Sequence, residues 1–110
     1  MDEQSITVFR SRLRDDIPDD YGPLAAELEA RAAEFPGFVE FKEFTAADGE
    51  RLALVTFASD EAEAAWRDDG RHRAAQQQGR DRFYREYDVA VCSVERRHRW
   101  TLRSGVKGAE

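Results

Sequence analysis

The chain has 110 residues, 41% of them hydrophobic and 36% charged, with a net charge of −6. That is the size of one domain, apolar enough to bury a core, and its acidity argues against general nucleic-acid binding. No apolar run approaches the roughly 20 residues of a membrane span, and the acidic start MDEQSITVF lacks the basic-then-apolar order of a secretory leader, so a cytoplasmic location is expected.

In chain order, Ser5 to Arg14 alternates, is rich in β-formers and reads as a strand. DDIPDDYGP follows as a turn in which Asp19 or Asp20 can cap a helix. Tyr21, Leu24, Ala25, Leu28, Ala32 and Phe35 then recur at helical spacing, so Asp20 to Phe35 is an amphipathic helix stopped by Pro36-Gly37. Phe38 to Ala46 is a second strand. Asp48-Gly49 predicts a type I′ hairpin, because Gly accepts the positive φ that this turn requires. Arg51 to Ala58 is the third strand, and Ser59 caps a helix over Glu61 to Asp69. Gly70 interrupts it, and a second helical piece runs from Arg71 to about Phe83 with His72, Ala75, Gln76, Gly79 and Phe83 on one face. Arg80 and Tyr84 close that piece, and Tyr87 to Glu95 forms the last strand.

The order β-α-β-β-α-β predicts an α+β, ferredoxin-like domain, a four-stranded antiparallel sheet with its helices on one face. Leu52 and Leu54 oppose Ala53, Val55 and Phe57; Val89 and Val91 oppose Ala90 and Cys92; Ile6 and Val8 oppose Phe9 and Leu13. Both faces are therefore apolar, and helices can cover only one. A second copy packed sheet to sheet about a two-fold axis is the expected cover for the other. The single cysteine, Cys92, excludes an internal disulfide, argues against a structural zinc site and reads as a buried small hydrophobe. The domain is expected to end near residue 98. Residues 99–110 form a basic, flexible tail: from Arg96 onward five basic residues face one acid, so that segment carries +4 and the remainder −10.

EFPGFVEF after the first helix, DGE in the hairpin, TFASDEAEAAWR into the second helix, then HRAAQQQGRDRFY and YDVAVCSVER together resemble the antibiotic biosynthesis monooxygenase (ABM) domain family, from Ile6 to Arg97. The resemblance implies a homodimeric α/β-barrel built of ferredoxin-like subunits, each with a pocket between sheet and helices. Some members oxidise aromatic polyketides with molecular oxygen and no cofactor, and others degrade haem. For this chain the resemblance implies a small aromatic substrate, oxygen as co-substrate, and no metal, haem or other cofactor. A first-strand asparagine lines the pocket in the oxygenase and haem-degrading branches. Phe9 falls near that position, and the chain has no asparagine.

Four residues are candidates for the chemistry. Trp66 is either a core anchor or a stacking and hydrogen-bonding wall for a planar substrate. His72, beyond the Gly70 break, is a local helix-start residue or the proton shuttle. Tyr84 offers a hydroxyl to a substrate oxygen. Arg10 offers fixed donors to a phenolate or carboxylate, or is a strand-edge charge. Phe9, Phe38, Phe41, Phe83 and Arg80 are candidates for substrate contact, the aromatics serving otherwise as core. The leading reading is a cofactor-free monooxygenase of an anthrone-type compound. A non-oxidative cyclase or isomerase and a non-catalytic ligand-binding dimer are the alternatives.

Overall fold

The computed structural model describes residues 3–102. The tail residues 103–110 lie outside the described residues, and 99–102 have no regular secondary structure. The elements are β1 (Ser5–Leu13), α1 (Tyr21–Ala33), β2 (Phe38–Thr45), β3 (Arg51–Phe57), α2 (Asp60–Arg67), α3 (Gly70–Gln78), a π-helical turn (Gly79–Phe83) and β4 (Tyr84–Ser93). The sheet is antiparallel throughout, in the order β2-β3-β1-β4, so the ferredoxin-like arrangement holds.

Pairing fixes the faces. Ser5, Thr7 and Phe9 lie opposite Phe57, Val55 and Ala53 on one side and Ser93, Val91 and Val89 on the other, and all point to the helices. Ile6, Val8 and Arg10 lie with Leu54, Leu52, Cys92, Ala90 and Asp88 on the open face. On the helix side Ala32, Val55, Phe57 and Trp66 form the core, with Leu28, Phe35, Phe38, Phe41 and Ala62 packed against it. Phe57 is fully buried, and such a ring contributes about 1.5–3 kcal/mol relative to its exposed state. The sheet packs α1 on β2 and α2 on β3, whereas only the π turn packs closely on β4.

Pro36-Gly37 stops α1 as expected, for a reason beyond flexibility. Gly37 has φ 87°, and a Cβ there would sit 2.6 Å from that of Ala62 on α2. Four local expectations are corrected. The hairpin is not type I′: only Gly49 has positive φ, and its amide donates to Ala46 O, so the loop is a turn closed by one left-handed glycine. Asp20 stands at the N-cap of α1 without a capping bond, because its carboxylate pairs with Arg82 instead. Gly70 does not itself make the break between α2 and α3; Asp69 does, by capping a new helix that Gly70 merely opens. Cys92 is exposed on the open face of the subunit, since no helix lies over that side.

Candidate functional site

The chemistry-bearing side chains gather at the two ends of α3. At its start, Asp69 Oδ2 accepts the His72 amide at 3.0 Å, and the Arg31 guanidinium holds both Asp69 oxygens at 2.9 and 2.8 Å. This pairing, helped by the His72 amide, brings the Asp69 carboxyl down to about 2. The cap fixes where α3 begins and therefore where His72 points. Its ring lies flat on the Trp66 indole, with centroids 4.1 Å apart and planes 12° from parallel, and Phe35 closes on the indole edge-on at 5.2 Å.

His72 Nδ1 is 3.1 Å from the Trp66 carbonyl oxygen. A carbonyl only accepts, so Nδ1 carries the hydrogen and Nε2 keeps its lone pair. Burial holds the imidazole below its ordinary pKa, against the opposing pull of the Trp66 carbonyl and Asp69. Nε2 has no hydrogen-bond partner among the described residues, yet it is not among the enclosed orphan atoms, of which Ser5 Oγ is the one found. His72 is thus an imidazole whose Nδ1 is committed to the Trp66 carbonyl and whose Nε2 has no hydrogen-bond partner among the described residues.

At the other end of α3 the expected helix gives way to the π turn, and β4 begins at Tyr84, three residues before the expected Tyr87. Tyr84 therefore belongs to the sheet and not to the helix end. Its ring meets Phe9 at 5.4 Å, Tyr87 at 5.7 Å and Tyr21 at 6.3 Å, all close to edge-on, and Tyr21 in turn packs on Phe83 at 5.2 Å. Burial, and then the neighbouring Tyr21 hydroxyl, push the Tyr84 phenol well above its ordinary pKa, so it stays a donor. Gly79 makes this placement possible: a Cβ on it would lie 2.6 Å from Tyr84 Cε2.

Arg14 was not singled out from the sequence and holds this end together. Its guanidinium donates to the carbonyls of Tyr84 (3.1 Å), Asp81 (2.9 Å) and Arg80 (2.7 Å), and its amide donates to Phe83 O (2.8 Å). A π turn leaves carbonyls that the regular helix would have used, and Arg14 satisfies them. No local pattern announces this, because the partners lie 66 to 70 residues away.

The helix side of β1 and β4 carries Thr7, Phe9, Tyr87, Val89 and Val91, a mostly apolar trough on which α1, α2 and α3 pack little. Val89 and Val91 are 46% and 44% exposed there, because no helix seals this half of the sheet.

The structure thus groups Trp66 with His72, and Phe9 and Phe83 with Tyr84. Arg80 joins the second group by donating to Tyr87 Oη at 3.1 Å. Three candidates fall elsewhere. Arg10 is on the open face of the sheet, held at 2.9 and 3.0 Å by Glu50. Phe38 and Phe41 pack into the core beside Phe57 and Val55 instead of flooring the trough. Trp66 is 6% exposed, so the core-anchor role holds whatever else its indole does.

Two concavities are also present. One of about 410 Å³ runs between α1 and α3 beside Leu24 and Ala75, bounded by the Arg71–Glu27 and Arg82–Asp20 pairs. The other, about 450 Å³, is lined by Arg10, Ser11, Glu50, Glu86, Tyr87 and Asp88. Among the described residues, no three of His, Cys, Asp and Glu gather as metal ligands, and no helix is long and apolar enough to cross a membrane.

No protein-family model matches the chain. The chain is 32% identical over 89 residues to YqjZ of Bacillus subtilis, an uncharacterised protein, covering 81% of this chain and 78% of that one. Its fold is similar to that of SnoaB from Streptomyces nogalater, a cofactor-independent oxygenase, with a TM-score of 0.69 at 16% identity over 92% of this chain and 98% of that one. It is also similar to Rv0793 of Mycobacterium tuberculosis (TM-score 0.74, 17% identity, 86% and 97% covered). A third similar structure is a Nitrosomonas europaea protein provisionally called an antibiotic biosynthesis monooxygenase (TM-score 0.72, 10% identity, 86% and 93% covered).

Proposed function

Given that the chain belongs to the family of YqjZ and has the ABM fold, we propose that it oxidises a flat aromatic compound of the anthrone type with molecular oxygen and no cofactor. The observation that carries the reading is His72: a neutral imidazole with Nδ1–H committed to the Trp66 carbonyl and Nε2 open. Such a group takes a proton from an acidic C–H. Tyr84, kept protonated, is the matching donor to the enolate oxygen that forms.

The rise along α3 from His72 to Gly79 is about 10 Å, and Tyr84 packs on Gly79. The methylene and carbonyl of an anthrone lie on opposite edges of its central ring. A tricyclic ligand in the apolar trough can therefore turn one toward each end. The enolate passes an electron to oxygen, the radicals combine at carbon, and the hydroperoxide loses water to leave a quinone. One oxygen atom enters the product and the other departs as water. The protein's part is to remove the proton, hold the oxyanion and keep the ring on an apolar floor.

The same reading includes a homodimer through the open sheet face. Ile6, Val8, Leu52, Leu54, Ala90 and Cys92 form an apolar surface there that no element of the subunit covers, and Phe44 is 44% exposed beside Leu52.

Incubation with an anthrone under ¹⁸O₂ tests the activity. The proposal predicts protein-dependent quinone carrying one ¹⁸O atom. Turnover that leaves ¹⁸O out of the product, or proceeds equally without oxygen, would contradict it and point to an isomerase or cyclase using the same base.

A further inference from the structure

The open sheet face is polarised along its length. One end carries the concavity of Arg10, Glu50, Glu86 and Asp88, three acids against one base. Arg10 is engaged by Glu50, and Glu86 reaches only Arg12, at 3.6 Å. Asp88 makes no ion pair among the described residues; it faces Arg10 across the strand pair. The other end is where β4 leaves the sheet at Ser93, paired with Ser5. There the chain continues as Val94, Glu95, Arg96, Arg97, His98, Arg99, Trp100, Thr101 and Leu102.

This segment is tied down at its root alone, by the Val94 amide on Gln4 O and by Arg97 on Gln4 Oε1. Arg96 and Arg99 have no acidic partner among the described residues. Trp100 is 74% exposed and Leu102 65%, an unusual display for an indole and a leucine so close together.

A subunit cannot readily bring these features together by itself. From Glu86 to Ser93 along β4 is about 23 Å, and the segment leaves β4 pointing away from its own concavity. Two copies related by a two-fold axis perpendicular to the strands have the opposite geometry: the segment of one lies over the acidic end of the other, and the nine residues from Val94 to Leu102 span up to about 30 Å.

We propose that residues 95–102 of a second copy occupy the concavity lined by Arg10, Glu50, Glu86 and Asp88. Arg96 and Arg99 pair with Glu86 and Asp88, and Trp100 lies beside Tyr87. Tyr87 lines that concavity and also packs against Phe9 and Tyr84. The inference rests on the sheet-to-sheet dimer of the preceding section and adds which residues cross.

Sedimentation velocity on the full chain tests it, with four proteins compared at low salt. These are wild type, Arg96→Glu with Arg99→Glu, Glu86→Lys with Asp88→Lys, and the combination of all four. Four exposed pairs per dimer each contribute a few-fold, so either double reversal weakens dimerisation by about tenfold or more, and the combination restores it. The loss shrinks above roughly 0.3 M salt. Acrylamide quenching supplies an independent reading: the emission lost in Trp100→Phe should be shielded in the dimer and exposed on dilution. Double reversals that leave the dissociation constant unchanged, with Trp100 quenched equally in dimer and monomer, would overturn the crossing segment while the dimer stood. A wild-type chain that stays monomeric at every concentration would overturn both.

Discussion

Gly79→Ala isolates the contact on which the placement of Tyr84 depends. The added methyl would lie 2.6 Å from Tyr84 Cε2 and 2.8 Å from Cδ2, whereas ordinary contact begins near 3.4 Å. The ring must retreat by the better part of an ångström. It is enclosed by Phe9, Tyr21 and Tyr87, so it cannot swing aside freely. Overpacking of this kind costs about 1–3 kcal/mol. Replacing glycine by alanine in a helical conformation returns about 0.5–1 kcal/mol, and Gly79 has helical φ and ψ. The net is a loss of about 1–2 kcal/mol, which lowers Tm by roughly 5–10 °C for a domain of this size. Circular-dichroism melts at one fixed protomer concentration, in the wild-type and Tyr84→Leu backgrounds, make the test. With Leu at position 84 the obstacle is gone, and Gly79→Ala should be neutral or slightly stabilising. An equal loss in both backgrounds, or a stabilised single variant, would refute the argument.

Other outcomes follow from the same geometry. His72 is held neutral by burial, so its folded pKa lies below its unfolded value of about 6.5. Its contribution is complete above that pH and falls as acid protonates the unfolded chain first; urea titrations should show stability dropping below pH 6.5 by up to about 1.4 kcal/mol per unit, a slope that His72→Gln removes. Trp66→Ala should cost about 3–5 kcal/mol because the indole joins core and His72; a loss under about 1 kcal/mol in denaturant melts would contradict its place in the core. Arg14→Ala should weaken the fold by about 1–3 kcal/mol and shift the amide resonances of residues 80–84 in ¹H–¹⁵N spectra, with the far end of α3 undisturbed. Arg10→Gln should leave turnover intact, since its guanidinium sits with Glu50 on the opposite face of the sheet.

The fold was legible because its signals are local and periodic. Alternation in RLALVTF, the 3.6-residue spacing from Tyr21 to Phe35, Pro36-Gly37 and the Ser59 cap each dictate their element without help from the rest of the chain. The site was only half legible. Trp66 and His72 each stand out in the sequence, but nothing there announces that their rings would stack, or that Asp69, locked by Arg31, would be the device that aims the imidazole. In sequence GRDRFY reads as one continuous turn, which places Tyr84 at a helix end. A long-range clamp from Arg14 and the demand of β1 for a partner strand draw Tyr84 into β4. Phe9, Phe38 and Phe41 have the same chemistry in sequence. Register alone puts the first against Tyr84 and the other two against the core.

Oxygen uptake at a fixed anthrone concentration, with chelator present and equal folded protein, tests the central claim most directly when wild type is set beside His72→Gln and Tyr84→Phe. The account predicts protein-dependent uptake that collapses in His72→Gln across the pH range and falls less in Tyr84→Phe, which loses one donor but no base. Uptake equal to the protein-free blank, or uptake untouched by His72→Gln in a folded variant, would contradict it.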